Sequence, residues 1–157
     1  MIDTKKNALT EEIKTLVDLH GNRRDSLLPI LQALQAKHGR ISDYAQQEVA
    51  RFLDIHPVEV YGVITFYSFL STEPKGKYVI RLCRTISCDL AGKDAIVRAL
   101  EGELGIKFGE TTKDKKFSLE YIYCMGMCDQ GPAMMINDEV HTKLTLHSVV
   151  EILQNCK

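Results

Sequence analysis

The chain has 157 residues, 45% hydrophobic and 26% charged, with 20 basic against 21 acidic side chains and a net charge of −1. That is the composition of a soluble globular protein, long enough for one ordinary domain or a small domain with a helical extension. The absence of a basic stripe or polybasic tail argues against a nucleic-acid binder or a protein held to membranes by charge.

Residues 1–10 are polar and resemble neither a secretory signal nor a transit peptide. The longest apolar stretch, residues 58–70, is interrupted by Glu59, Thr65 and Ser68 and falls short of the about 20 residues that span a bilayer. A cytoplasmic protein is therefore expected. Thiols stay reduced there, so clustered cysteines point to metal or redox chemistry rather than a disulfide framework.

Residues 1–72 show helical periodicity and no alternation of period two, which predicts a small helical bundle. Thr10-Glu11-Glu12 has the form of a helix start, with Ile13, Leu16, Val17 and His20 at helical spacing and Gly21 as a stop. A second helix is expected over 27–37, with Pro29 in its first turn and Gly39 after it. Ser42 is placed to cap a third, turning Ala45, Val49, Phe52 and Leu53 inward. Pro57 opens a fourth over 58–70, apolar or aromatic around most of its circumference. Such a helix is expected to be buried on nearly all sides, within this chain or against another subunit.

Glu73-Pro74-Lys75-Gly76 is a turn-rich linker, after which the period changes. Strands are expected over 77–83 and 117–124, a helix over 90–104 between them, a hairpin through Asn137-Asp138, and a closing helix over 144–153. The order βαββα suggests a small α/β domain of thioredoxin-like type over 77–157, behind the bundle of 1–72.

Four of the five cysteines form two pairs, Cys83 with Cys88 and Cys124 with Cys128, in a C-x4-C and C-x3-C arrangement. Four thiolates, two per iron, are what a [2Fe–2S] cluster needs. Cys83 and Cys124 are expected at the ends of neighbouring strands, and Cys88 and Cys128 in the segments that follow. Both pairs would then meet at the sheet edge where α/β folds gather ligands. Cys88 is expected just before a helix N-terminus, whose dipole would favour its thiolate. Gly126 would let N–H groups turn toward the sulfurs, and Gly131-Pro132 would stiffen the loop exit. All-Cys ligation favours a low potential, roughly −400 mV in plant-type ferredoxins. No histidine has a Rieske-type position. A structural zinc site, a thiol–disulfide centre and unrelated buried cysteines remain alternatives. Cys156, the penultimate residue, is expected to be a bystander.

The cysteine spacing resembles that of the thioredoxin-like [2Fe–2S] subunit of NADH dehydrogenase, the 24 kDa subunit of complex I. So do His56-Pro57-Val58-Glu59-Val60-Tyr61-Gly62-Val63-Ile64-Thr65-Phe66-Tyr67 and the run from Cys124 through Gly131-Pro132-Ala133 to Met134-Met135. The same family supplies small subunits of [FeFe]-hydrogenases, including electron-bifurcating and NAD(P)-reducing types, and of NAD-dependent formate dehydrogenases. The resemblance implies that Cys83, Cys88, Cys124 and Cys128 ligate one [2Fe–2S] cluster. It also implies a larger flavoprotein partner that binds FMN and NAD(P)(H), since no nucleotide motif occurs in this chain. The expected role is electron transfer within a soluble NAD(P)H-linked oxidoreductase, foremost an electron-bifurcating [FeFe]-hydrogenase with its catalytic subunit. The equivalent subunit of bacterial complex I or of a formate dehydrogenase is the alternative, and a zinc-stabilised interaction module the alternative of another class. Met125, Met127, Met134 and Met135 are expected as packing residues more than as partner surface.

Overall fold

The computed structural model describes residues 2–156, with side chains from Lys6 onward. The chain divides after Pro74 into two compact units.

Among the described residues the first unit contains four α-helices: α1 (Ile2–His20), α2 (Leu27–His38), α3 (Asp43–Leu53) and α4 (Pro57–Phe66). Its core gathers one stripe from each helix, including Ile13, Ile30, Leu31, Leu34, Val49, Val60 and Ile64. Ser42 caps α3 as expected, accepting from the Ala45 N–H at 3.3 Å, and Pro57 begins α4. Thr10 does not start a helix. It lies within α1, and its hydroxyl bonds Tyr44 Oη at 2.8 Å and Glu48 Oε2 at 3.0 Å on α3. With neither Gly nor Pro in residues 2–20, nothing stops the helix upstream of Thr10.

The fourth helix departs from expectation in length, and within this chain it is not buried on nearly all sides. It ends at Phe66 rather than running to residue 70, and only Val60 and Ile64 are buried along it. Val58, Tyr61 and Phe66 are exposed at 71%, 52% and 79%. Apolar character around the circumference therefore reflects one buried stripe beside one exposed apolar stripe. No helix among the described residues is long and apolar enough to cross a membrane.

The second unit is a four-stranded mixed sheet of β1 (Tyr78–Cys83), β2 (Phe117–Ile122), β3 (Met134–Ile136) and β4 (Glu139–His141), in the order β2-β1-β3-β4. β1 runs parallel to β2 and antiparallel to β3, and β3 and β4 form the hairpin expected around Asn137-Asp138. The central strand carries Ile80, Leu82 and Cys83 buried. The helix expected over 90–104 is α6 (Lys93–Leu104); a further short helix not expected, α5 (Ile86–Leu90), precedes it, and Gly92 with φ +92° separates the two. Only glycine adopts that backbone without strain. Ile96 and Leu100 of α6, with Val149 and Leu153 of α7 (Leu146–Asn155), join the strand core residues Ile80, Leu82, Leu119 and Met134. Thr145 caps α7 through the Ser148 N–H at 3.1 Å.

The segment read as a linker is partly built into this unit. Lys75 Nζ pairs with Glu120 at 2.6 Å, and the Gly76 N–H donates to the buried Ser118 Oγ at 2.7 Å. A Cβ at Gly76 would come within 2.7 Å of the Phe117 carbonyl carbon, so the close approach of two backbones demands glycine.

Candidate metal centre

The parallel register places Cys83 opposite Ile122 at the C-terminal end of β1 and β2. Cys83 is the last residue of β1, as expected, whereas Cys124 lies two residues beyond the end of β2. Cys88 sits inside α5 rather than before a helix start, and Cys128 opens a single 3-10 turn, Cys128–Gln130. The segment following each strand thus returns a second thiol to the edge where the first thiol stands.

Two contacts draw the segments together. The Cys83 N–H donates to the Ala133 carbonyl at 3.1 Å, tying the exit of the second loop to the end of β1. Gly131 packs directly on Cys88: a Cβ there would lie 3.5 Å from Cys88 Sγ and 3.2 Å from Ala91 Cβ. Gly126, at φ +87°, turns its N–H onto Cys124 Sγ at 3.4 Å. Cys124 and Cys128 Sγ are 3.1 Å apart.

Hydrogen bonds and charge distinguish the four thiols. Burial pushes Cys83 up, but hydrogen bonds from the Thr85 hydroxyl and N–H, from Cys88 and from the Met125 N–H outweigh it and hold Cys83 below the ordinary thiol value. Burial raises Cys88, and the charge of Cys83 and Cys128 adds to this against one N–H from Ala133. The expectation that a helix dipole would favour the Cys88 thiolate is therefore not met, because Cys88 lies within a five-residue helix and is buried. The hydrogen bond and like charge of Cys124 raise Cys128, while the Ser87 side chain opposes the rise. Thiols this close cannot all ionise unless a cationic centre compensates their charge, which is what metal coordination supplies.

The donor set fits a [2Fe–2S] cluster. It offers four soft thiols in two pairs, with backbone and hydroxyl donors already directed at the sulfurs. Among the described residues no three His, Cys, Asp or Glu side chains are arranged around a single metal ion. Each pair of thiols can serve one iron of a two-iron centre, and four thiols in two pairs are also the donor set of a structural zinc site.

The residues near the thiols that the sequence did not single out are Arg84, Thr85 and Ser87, together with Tyr123, expected as the penultimate residue of the second strand but lying just beyond β2. Arg84 follows Cys83, and Tyr123 precedes Cys124. The Arg84 guanidinium lies 4.5 Å from the Tyr123 ring centroid and hydrogen-bonds its hydroxyl, and the Arg84 N–H donates to the Ile122 carbonyl at 3.0 Å. A parallel pairing that sets Cys83 against Ile122 would have placed Arg84 beside Tyr123. Exposed Ile86 and Leu90 on α5 border the same edge. Met134 is fully buried in the sheet core, and Met125, Met127 and Met135 are half-buried. His141 is on β4, 3.9 Å from Glu139. Cys156 follows α7, where its thiol donates to the Ile152 carbonyl at 3.4 Å and packs on the sheet core.

The chain is 35% identical to an E subunit of NADH-quinone oxidoreductase from Rhizobium meliloti (strain 1021), over 94% of its length and 88% of that protein's. It is 43% identical to the E subunit of NADH-quinone oxidoreductase from Buchnera aphidicola subsp. Acyrthosiphon pisum (strain APS), over 81% of this chain and 78% of that one. Its fold matches a chain in the crystal structure of an air-oxidized NAD+-reducing [NiFe]-hydrogenase with a TM-score of 0.70 and 24% identity. That match covers 80% of this chain and 22% of the hydrogenase chain. The family model of the thioredoxin-like [2Fe-2S] ferredoxins spans residues 13–157, and the chain belongs to that family.

Proposed function

We propose that Cys83, Cys88, Cys124 and Cys128 hold one [2Fe–2S] cluster and that this chain is an electron-transfer subunit of an NADH-linked oxidoreductase, of the NADH-quinone oxidoreductase type. The main support is the meeting of two cysteine pairs at one sheet edge, each with hydrogen-bond donors on its sulfurs. Two relatives that share most of their length with this chain bear the name of that enzyme's E subunit, which favours it over the [FeFe]-hydrogenase foremost in the sequence resemblance. The likeness to the NAD+-reducing hydrogenase is one of fold.

A bound cluster would supply a one-electron carrier. The residues of this chain act around it. Cys83 and Cys88 anchor one side in the folded sheet and α5, out of water. Cys124 and Cys128 present the other side at the surface, where a second subunit can approach. N–H and O–H donors at the sulfurs offset the negative charge of four thiolates. A flavoprotein subunit carrying FMN and NAD(H) is the proposed partner, because an electron carrier of this kind needs a group that converts hydride transfer into single electrons.

Anaerobic purification of the full chain tests the centre. The expected product is red-brown, with about two irons and two sulfides per chain. A colourless protein containing one zinc would overturn the proposal. Isolation from its own cells tests the assembly: co-purification with a flavoprotein and NADH-dependent quinone reduction are expected. Co-purification with hydrogen-dependent activity instead would overturn the quinone-reductase assignment.

A further inference from the structure

Thr85 occupies the N-cap position of α5, with φ −82° and ψ 160°, yet its side chain makes no capping hydrogen bond. A threonine there ordinarily accepts from a backbone N–H two or three residues on. Ser42 and Thr145 do so at the heads of α3 and α7. The Thr85 hydroxyl instead lies 3.2 Å from Cys83 Sγ. Once Cys83 is a thiolate ligand it has no proton to give, so the hydroxyl must be the donor. Thr85 is half-buried and two residues beyond a cysteine that is itself 2% exposed, so water competes poorly for this bond.

We propose that Thr85 is a positioning residue that fixes Cys83 and raises the reduction potential of the centre through its hydroxyl–sulfur hydrogen bond. This rests on the four-cysteine cluster proposed above. A hydrogen bond to a ligand sulfur withdraws negative charge, and it stabilises the reduced state more because that state is the more negative. The Thr85 methyl group and backbone N–H do not depend on the hydroxyl. Replacing the hydroxyl alone therefore separates its electronic effect from local packing.

The experiment uses the full chain, purified anaerobically with its centre loaded, as wild type, Thr85→Val and Thr85→Ser. Iron content is matched first, and the midpoint is then read by redox titration followed by electron paramagnetic resonance. At a fixed potential, Thr85→Val should shift the reduced-to-oxidised ratio about tenfold toward the oxidised state, a fall of about 59 mV for a one-electron couple. Thr85→Ser should stay within about twofold of wild type, since it keeps the donor. In the reduced wild type and Thr85→Ser, hyperfine spectra should show a hydroxyl proton that exchanges in D2O, absent from Thr85→Val. If Thr85→Val takes up no iron, the wild-type and Thr85→Ser spectra still decide, and lack of that proton in both overturns the proposal. An iron-loaded Thr85→Val with the wild-type midpoint, or a Thr85→Ser shifted as far as Thr85→Val, also overturns it. A wild type without iron and sulfide would overturn the cluster assignment itself, before any variant is compared.

Discussion

Cys83 and Cys88 are each 2% exposed, one ending the central strand of the sheet and the other inside a short helix that contacts α6 and the 3-10 turn of Cys128–Gln130. Cys124 and Cys128 are exposed and lie in a loop shaped by the left-handed turn at Gly126 and the close packing of Gly131 on Cys88. The same chemical group is thus held in two ways. Core packing and the β1 ladder fix the first pair, whereas backbone turns bring the second pair to it. One side of the proposed centre is closed to water and the other is open to whatever approaches that sheet edge, as an electron-transfer site between subunits requires.

The contrast between the pairs fails most decisively if one of them proves dispensable. Cys83→Ala and Cys124→Ala should each reduce bound iron from about two per chain to near zero, while Cys156→Ala should retain it, as measured by iron and sulfide analysis. Full iron in either of the first two variants would remove that residue from the ligand set. The difference in burial itself is tested in the metal-free protein. Brief treatment with iodoacetamide should modify Cys124 and Cys128 on the order of tenfold faster than Cys83 and Cys88, because access limits thiol reactivity. Mass spectrometry of the peptides gives the ratio, and equal rates would mean that the first pair is not protected by the fold.

Gly131 links the two pairs and offers a subtler probe. The side chain added by Gly131→Val would press on Ala91 and Cys88 and displace the second loop, with about 1–3 kcal/mol of overpacking cost. Iron extraction by a chelator should accelerate several-fold, and an unchanged rate would show that the loop does not depend on this contact. The smallest effect is expected at the Arg84–Tyr123 contact. Arg84→Ala should lower stability by about 0.5–1 kcal/mol without loss of iron, measured by denaturant unfolding of the loaded chain. Iron loss there would mean that the clasp, rather than the ladder and Gly131, holds the two segments together.

Much of the architecture was legible because local signals and burial agreed. Ser42 and Pro57 mark helix starts through properties of single residues, and the change from helical to alternating periodicity places the sheet within residues 77–157. The break at Gly92 was not legible, because Leu90, Ala91 and Ala95 continue a plausible helical pattern across it. The early start of α1 was missed because polar residues give no amphipathic signal even where the helix continues. For α4, composition gave apolar residues on every side, but periodicity cannot tell which stripe the bundle covers.

The site divides along the same line. Chain order alone was enough to say which four thiols could act together, since the intervals within the pairs and the strand pattern before each pair are properties of the linear polymer. Folding in three dimensions was needed to bury one pair and expose the other, to hold Gly131 small against Cys88, and to turn the Thr85 hydroxyl from its own helix to Cys83. Spacing limits which groups can reach one another. Burial, approach distance and the choice among competing hydrogen-bond acceptors depend on atoms distant in the chain, and these exist as neighbours only once β1 and β2 are paired.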